Sequence, residues 1–392
     1  MADNNKPKDS RDEFIQKCLG AEAVTVEVDG GVHASGRLSD NPGSVLSASG
    51  FEKEIKLIRD VIAEQAASGR DTVKVVNLVL NTPGGGVADA NAIIEQIKAF
   101  KKDHPDILII MHGNQVASAG LMIAAHCDEV YLRPEGEVGS IGIMATLPEV
   151  SDPEVVIAST DGKGQATDLA AHLGREDVQG KHAAFFSAVA DHLTRKGAKV
   201  DLKAMQALRD EVVAAQVIAE KYAIEIVQAY SDSQKQGVLF VAPELPAELA
   251  GMPSIQKHLA TIQQQSDWVG PDGKTLLQAD TIKPSNLIRS LRLKAEKDIV
   301  LQRNADDVLW YCFLYSSDMM SAQDAARLGV VDGILDTAGY DKMLDERFHI
   351  TPERVLVRTV KTNGVITAFP SAPEPVAAND DHQIEPPKNA AA

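Results

Sequence analysis

A single serine lies between small residues at the point where an apolar segment begins. Ser118 is part of the stretch NQVASAGLMIAA (114–125), in which polar residues give way to an almost purely apolar run. The pattern predicts that Ser118 stands at the start of a buried helix, where free N–H groups and the positive end of the helix dipole stabilise developing negative charge. A serine hydroxyl is a poor nucleophile unless a base takes its proton. Ser118 is therefore a candidate nucleophile, and the alternative is an ordinary helix N-cap.

A glycine-rich loop, NTPGGGV (81–87), is the second segment that could take part in chemistry. Gly85 has no Cβ, so its backbone N–H can approach a substrate carbonyl. By itself such a loop is a common tight turn before a helix. Because this loop and the Ser118 motif each follow a predicted buried strand, the pair indicates a site more strongly than either loop alone.

Histidine and metal chemistry find little support in the sequence. His126 follows Ser118 by only eight positions, inside the predicted buried helix, and we expect it to be a core histidine with satisfied hydrogen bonds. The adjacent residues HCD (126–128) cannot converge on one metal ion, and the sequence has no second cluster. We therefore predict no metal and no cofactor.

Strands and helices alternate through the first half of the chain. Runs of β-branched and apolar residues predict strands, and apolar residues at helical spacing predict helices. This alternation favours α/β layers around a mostly parallel sheet. The predicted strands are 23–30, 73–80, 107–113, 129–134, 155–159 and 354–362, with a Gly-rich turn leading into a further strand at 136–147 and helices at 51–69, 87–102 and 176–230, the last broken near 196–201.

Changes in composition and pattern divide the chain into five parts. The C-terminal residues are rich in Pro, Ala and Asp, a composition that cannot bury enough apolar surface to fold. The parts are a flexible tail at 1–20, an α/β core at 21–230, an inserted and mainly helical segment of unknown role at 231–305, a closing helix–strand part of the core at 306–364 and a disordered tail at 365–392.

The overall composition is typical of a soluble protein in a reducing compartment. A formal net charge of −17 over 392 residues repels phosphate backbones, so we expect no nucleic acid partner. The three cysteines are far apart and show neither a disulfide framework nor a zinc spacing. The N-terminus lacks the apolar stretch of a signal peptide, and the apolar runs are far shorter than the ~20 residues that span a bilayer. These features predict a cytoplasmic protein without a membrane anchor.

Three motifs in order along the chain carry a family resemblance. NTPGGGV (81–87), NQVASAG (114–120) and GSIGIM (139–144) together resemble the signal peptide peptidase A family of serine proteases, with mild changes at Thr82 and Ile143. That family has the Clp/crotonase superfold, a set of stacked ββα units. The segment MSAQDAARLGVVDGILD is also similar to the closing helix–strand unit of the family. The resemblance covers about 23–200 and 316–340, and it implies a Clp/crotonase-like core with an added helical segment.

The resemblance implies a Ser-Lys dyad. In the family a lysine follows a strand and a short turn, and here IASTDGKGQ (157–165) offers Ser159 and then Lys163. Lys163 is therefore the expected base, and Ser140 of the GSIGIM motif is expected to hold it. A lysine has an unperturbed pKa of ~10.4, so burial in an apolar pocket must lower that pKa before the amine can act as a base near neutral pH.

The resemblance also implies an oxyanion hole. The backbone N–H groups of Gly85 and Ala119 are expected to hold the negative oxygen that forms when Ser118 attacks a carbonyl. Loss of one such donor typically costs ~3 kcal/mol in barrier height.

The chain departs from the family pattern in its spacing. Ser118 and Lys163 are 163 − 118 = 45 positions apart, against about fifty in bacterial members, because LPEVSDPE (147–154) replaces a helix. The shorter gap keeps Lys181 and His172 open as alternative bases.

The expected function is that of a soluble serine endopeptidase that cleaves unfolded or extended protein segments through an acyl-enzyme. The family resemblance further implies a homo-oligomeric ring. Two alternatives remain open at this point. One is a crotonase-type acyl-CoA enzyme, which shares the superfold. The other is a catalytically inactive assembling scaffold, including one with a role in phage capsid maturation.

Overall fold

The computed structural model describes residues 19–29, 48–70, 72–146, 156–158, 176–267 and 284–360. Most of the predicted N-terminal tail and all of the predicted C-terminal tail lie outside these residues, as do Lys163 and His172. The strands are β1 (Ala23–Asp29), β2 (Val75–Asn81), β3 (Leu108–Ala117), β4 (Glu129–Gly139), β5 (Met144–Thr146), β6 (Val156–Ala158), β7 (Met319–Ser321), β8 (Gly333–Ile334) and β9 (Val355–Val360).

The helices of the described residues cover both halves of the chain. A short 3₁₀ turn, Pro352–Arg354, precedes the last strand. The helices are α1 (Ala48–Ala67), α2 (Val87–Asp103), α3 (Ala119–Ala124), α4 (Glu176–Lys196), α5 (Leu202–Gln236), α6 (Ala247–Ala250), α7 (Pro253–Asp267), α8 (Pro284–Val300), α9 (Ala305–Tyr315), α10 (Ala322–Leu328) and α11 (Thr337–Phe348). Among them no helix is both long and apolar enough to cross a membrane.

One mostly parallel sheet organises the molecule. Its strand order is β7-β4-β3-β2-β1-β9, and β8 pairs with β4 beside that path. All of its pairs are parallel except β4 with β7. The short strands β5 and β6 form a separate antiparallel pair. The predicted α/β class with a mostly parallel sheet is confirmed.

The sheet is covered on both faces. Alternate residues such as Val76 and Ile109 join a large apolar core with the helices. Their neighbours Val75 and Ile110 point to the opposite face and pack in a smaller core with Tyr340 of α11. Strands that are buried on both sides read as continuous apolar runs, which explains the pattern of β2 and β3.

Strands β3 and β4 are longer than the sequence predicted. The end of β3 contains the polar residues Asn114 and Gln115, and β4 contains Pro134 and Gly136, which local patterns assign to turns. Beyond an irregularity between Gly113 and Gln115, however, the two strands pair again as far as Ala117 and Gly139. Pairing with a neighbour therefore extends both strands to the motifs that carry Ser118 and Ser140.

The second half of the described chain is mainly helical. The predicted break near 196–201 is confirmed, with Gly197 at φ 65 in the left-handed region and Asp201 capping α5. The Asp201 carboxylate accepts hydrogen bonds from the N–H groups of Lys203 and Ala204 at 3.0 Å each. Helix α5 then runs past the predicted end at 230 to Gln236, and α8 packs along it.

We expect two glycine substitutions to have opposite effects on stability. A Cβ on Gly113 would lie 2.3 Å from the carbonyl oxygen of Leu80, a backbone atom that cannot move aside. Gly113→Ala should therefore lower the free energy of unfolding by about 3 kcal/mol. Gly180 lies in α4 with open space around it, so Gly180→Ala should raise the free energy of unfolding by about 1 kcal/mol. Urea denaturation measures both, and equal stability of the two variants would contradict the β2–β3 packing described here.

Candidate active site

Ser118 occupies a sharp turn between β3 and α3. Its backbone has φ 53 and ψ −115, and its side chain makes no capping hydrogen bond. The N-cap alternative is therefore wrong, because a capping residue has extended backbone and accepts from the first turn. A non-glycine residue in such a conformation costs of order 1–3 kcal/mol and persists where the surroundings impose it. A strained strand-to-helix turn is also how α/β-hydrolases expose a nucleophilic serine.

Two backbone hydrogen bonds hold the Ser118 turn in place. The Ser118 N–H donates to the carbonyl of Gly139 at 2.9 Å, and the Ser118 carbonyl accepts from Met122 at 3.0 Å. The first bond joins the serine to the end of β4, and the second starts helix α3. Ser118 as a whole is half-buried.

The TPGGG loop lies directly against Ser118. Gly84 has φ 115, and a Cβ on it would lie 2.6 Å from the Ser118 Cβ and 3.2 Å from its Oγ. Only a residue without a side chain fits there. The next residue along the chain, Gly85, is exposed. The structure thus brings together two of the motifs predicted from the sequence.

Thr82 fixes the start of this loop. Its N–H donates to Gln115 at 2.7 Å, and its carbonyl accepts from Ala117 at 3.1 Å. The N–H of Gly84 donates to the Thr82 hydroxyl at 3.1 Å. The Thr82 methyl fills the space in front of Gly120, where a Cβ would approach it to 2.5 Å. Threonine at this position therefore keeps the hydroxyl contact and adds a packing contact.

The third motif adjoins Ser118 on the other side. Gly139 ends β4 opposite Ala117, and Ser140 follows it with φ 60. The Ser140 N–H donates to the carbonyl of Asp318 at 3.2 Å. In the described residues, three of the four non-glycine residues with positive φ lie around this site: Ser118, Ser140 and Ser317. Strained backbone clusters at functional sites, which supports a role for these loops beyond packing.

Two cysteines in the described part of the chain are unsuited to nucleophilic chemistry. Burial raises the pKa of the Cys127 thiol to about 12. Burial beside Asp318 likewise raises the pKa of the Cys312 thiol to about 12. Partial burial also raises the pKa of the Asp318 carboxyl, although a hydrogen bond from the Cys312 thiol to this carboxyl opposes the shift. A thiol with a raised pKa stays protonated and inert near neutral pH.

Of the candidate bases, the structure describes His126 and Lys181. His126 follows α3, its Nδ1 lies 2.9 Å from the carbonyl oxygen of Met122, and burial lowers its pKa. The predicted hydrogen bond is present, but the predicted position in the core is wrong, because the helix ends at Ala124 and His126 is only half-buried. Lys181 is an exposed residue of α4. Lys163 and His172 lie outside the described residues, and among the described residues no group of His, Cys, Asp and Glu could hold a metal ion.

One protein family matches the part of the chain that contains Ser118. The sequence model of Peptidase family S49 matches residues 99–153. This segment resembles the S49 peptidases. It holds Ser118 and Ser140, so the resemblance predicted from three short motifs is confirmed for that part of the chain. No curated protein matches the sequence.

Solved structures with a similar path of the chain are proteases at low identity. Two are mutants of the 1510-N membrane-bound stomatin-specific protease, one serine-to-alanine and one lysine-to-alanine, the latter in complex with a substrate peptide. Each is 11% identical to this chain, with a TM-score of 0.37, and each match covers 86% of this chain. The matches cover 97% of the serine mutant and 91% of the lysine mutant. A third is the ClpP protease catalytic domain from Plasmodium falciparum, 8% identical with a TM-score of 0.31 over 86% of this chain and 95% of its own.

The strain at Ser118 gives a measurable effect on stability. Ser118→Ala keeps the backbone strain, so its free energy of unfolding should stay within about 0.5 kcal/mol of wild type. Ser118→Gly removes a strain of ~1–3 kcal/mol but adds ~0.5–1 kcal/mol of chain entropy, so it should be about 1 kcal/mol more stable than Ser118→Ala. Thermal and urea unfolding measure the difference. A Ser118→Gly variant that is less stable than Ser118→Ala would show that the turn is not strained.

Proposed function

We propose that this protein is a serine endopeptidase. The match to Peptidase family S49 supports a peptidase. The observation that carries the serine assignment is the Ser118 turn, with φ 53 and with Gly84 in direct contact. Neither an acyl-CoA enzyme nor an inactive scaffold requires a serine held in such a turn. We therefore favour peptide hydrolysis over both alternatives.

The proposed reaction begins at the Ser118 hydroxyl. Its Oγ attacks the carbonyl carbon of the scissile peptide bond, and Lys163 takes the hydroxyl proton. The tetrahedral intermediate collapses to an ester on Ser118 as the lysine returns that proton to the leaving amine. Water then attacks the ester carbonyl with Lys163 again as base, the bond from the acyl carbon to Oγ breaks, and the lysine returns the proton to Oγ as the acid product leaves. The roles of Lys163 and of Ser140 as its holder rest on the family resemblance.

Charge on the carbonyl oxygen must be stabilised during both steps. We assign this role to the N–H groups of Ala119 and Gly85. Ala119 is the first residue of α3, and the first N–H groups of a helix have no partner within the helix. Gly85 follows the glycine that touches Ser118, which supports placing its N–H on the same side of the substrate.

The substrate and the setting are part of the proposal. We infer that extended or unfolded protein segments are the substrates, because Gly86 beside Gly85 has extended backbone, with φ −67 and ψ 129, that matches an extended peptide. A homo-oligomeric ring and a cytoplasmic location follow from the resemblance and the composition. No membrane anchor is included in this proposal.

Activity across pH tests the proposed dyad. Hydrolysis of a fluorescently quenched unfolded protein should be measured from pH 6 to 10 for wild type, Ser118→Ala and Lys163→Ala. A lysine base acts only when neutral, so the wild-type rate should rise with pH and level off above the pKa of the lysine. Each substitution should lower kcat by at least about a thousandfold.

The alternative bases provide the controls for that experiment. Lys181→Ala and His172→Ala should retain wild-type activity and pH dependence. If Lys163→Ala stays active while one of these variants loses activity, the base has been assigned to the wrong residue. Turnover of an acyl-CoA thioester that does not require Ser118 would instead favour the crotonase-type alternative.

A further inference from the structure

A short segment after α9 packs against the loop that supports Ser118. The carbonyl of Asp318 accepts the Ser140 N–H at 3.2 Å, and the Ser317 hydroxyl donates to the carbonyl of Ile141 at 2.7 Å. A Cβ on Gly139 would lie only 2.4 Å from the Asp318 carbonyl oxygen, so the two backbones are in close contact. The segment 316–318, which we call the support segment, is therefore linked to Ser118 through Gly139 and Ser140 by two backbone hydrogen bonds, Ser140 N–H to Asp318 and Ser118 N–H to Gly139.

The other side of the support segment is held by helix α8. The Ser316 hydroxyl donates to Glu296 Oε1 at 2.8 Å. The Gln216 side chain of α5 donates to Glu296 Oε2 at 3.1 Å, and Gln216 is only 6% exposed. Both oxygens of one half-buried carboxylate are thus occupied, and charge-assisted hydrogen bonds of this kind are stronger than neutral ones.

The support segment has a fixed starting point. Tyr315 ends α9, is 5% exposed and stacks on Phe186 of α4 with the ring centroids 5.5 Å apart. Its hydroxyl donates to Gln206 of α5 at 3.3 Å. Tyr315 therefore cannot shift freely, and the adjustable part of the connection is confined to three residues.

The backbone of the support segment is itself strained. Ser317 has φ 58, a conformation that a non-glycine residue keeps only where its surroundings impose it. Ser316, just before the strained residue, is hydrogen-bonded to α8. Ser317 itself is hydrogen-bonded to the loop at Ile141. The N–H groups of Ser316 and Asp318 also donate to the Cys312 carbonyl, at 3.1 and 3.3 Å, so removal of the α8 contact loosens the segment without detaching it from α9.

We propose that Glu296 is a positioning residue for the candidate active site, acting through the support segment on the Gly139–Ser140 backbone. This inference rests on the proposed function above. It gives the helical segment 231–305, which the family resemblance does not cover, a task in catalysis. Small displacements of a catalytic group can lower rates by ~10²-fold, so one contact at this distance is enough to matter.

Four variants separate positioning from simple loss of packing. Glu296→Ala and Ser316→Ala remove the contact to the support segment. Glu296→Gln keeps an oxygen that accepts from Ser316. Tyr222→Phe is the matched control, because it removes one hydrogen bond of α5, to the carbonyl of Pro243 at 2.8 Å, that does not lead to the site.

Two readouts are needed for each variant. One is kcat and KM on the quenched unfolded protein, with Ser118→Ala as the inactive reference. The other is the hydrogen-exchange rate of the peptide that contains Gly139–Ser140, which does not depend on activity. Melting temperatures identify any variant that is globally destabilised.

We expect Glu296→Ala and Ser316→Ala to lower kcat about tenfold or more with KM changed less than about twofold, and to accelerate exchange at Ser140. Glu296→Gln should stay within about threefold of wild type, and Tyr222→Phe should match wild type in kcat and in exchange at Ser140 whatever its melting temperature. If Glu296→Ala behaves like Tyr222→Phe in both readouts, the inference is wrong. Equal losses in Glu296→Gln and Glu296→Ala would overturn the hydrogen-bond argument.

Failure of the proposed function has a different signature. If wild-type protein shows no Ser118-dependent hydrolysis, the peptidase proposal is wrong. Hydrogen exchange at Ser140 then tests only whether Glu296 positions the Gly139–Ser140 backbone. Faster exchange in Glu296→Ala but not in Tyr222→Phe supports the link from α8 to the Ser140 backbone, and unchanged exchange contradicts it.

Discussion

The pairing of Ala117 with Gly139 at the ends of two parallel strands is the constraint on which the candidate site depends. It places the Gly139 carbonyl 2.9 Å from the Ser118 N–H, and this bond turns the chain sharply from β3 into α3. The TPGGG loop continues from β2, the other neighbour of β3. Because the carboxyl ends of parallel neighbours meet at one edge of the sheet, three motifs that are separate in the sequence share one place.

Small residues surround Ser118 because backbones meet there. Gly84 touches the serine side chain itself, and Gly120 faces the Thr82 methyl. Larger side chains at either position would push the TPGGG loop away from Ser118. The apolar run after Ser118 then anchors the turn, since every residue of α3 is buried. The buried helix α3 and the bare backbone of the TPGGG loop together fix the position of Ser118.

Local patterns in the sequence predicted the sheet and two of the loops well. The β-branched runs of β2 and β3 and the glycine-rich TPGGG loop are local signals, and each lies where it was expected. The polar ends of β3 and β4 were missed because their strand conformation comes from pairing. Gln115 is held in β3 by the Asn81 side chain, which accepts its N–H at 3.1 Å, and by Glu137 across the sheet.

Long-range contacts explain the rest of what the sequence could not predict. The left-handed backbone of Ser118 follows from its bond to Gly139, and no residue type signals it. The contacts of Ser316–Asp318 join positions almost 180 residues apart, Ser317 with Ile141, so no motif reveals them. The assignment of the base rests on the resemblance alone. Lys163 lies outside the described residues, and its role is still a prediction.

The central claim is that Ser118 is a nucleophile, and covalent labelling tests it most directly. Wild-type protein should be treated with a fluorophosphonate, which phosphonylates activated serines, and digested for peptide mapping by mass spectrometry. We expect one adduct, on the peptide that contains Ser118, formed faster as the pH rises and absent from Ser118→Ala. An adduct on another residue, an adduct that persists in Ser118→Ala, or no adduct at any pH would contradict it.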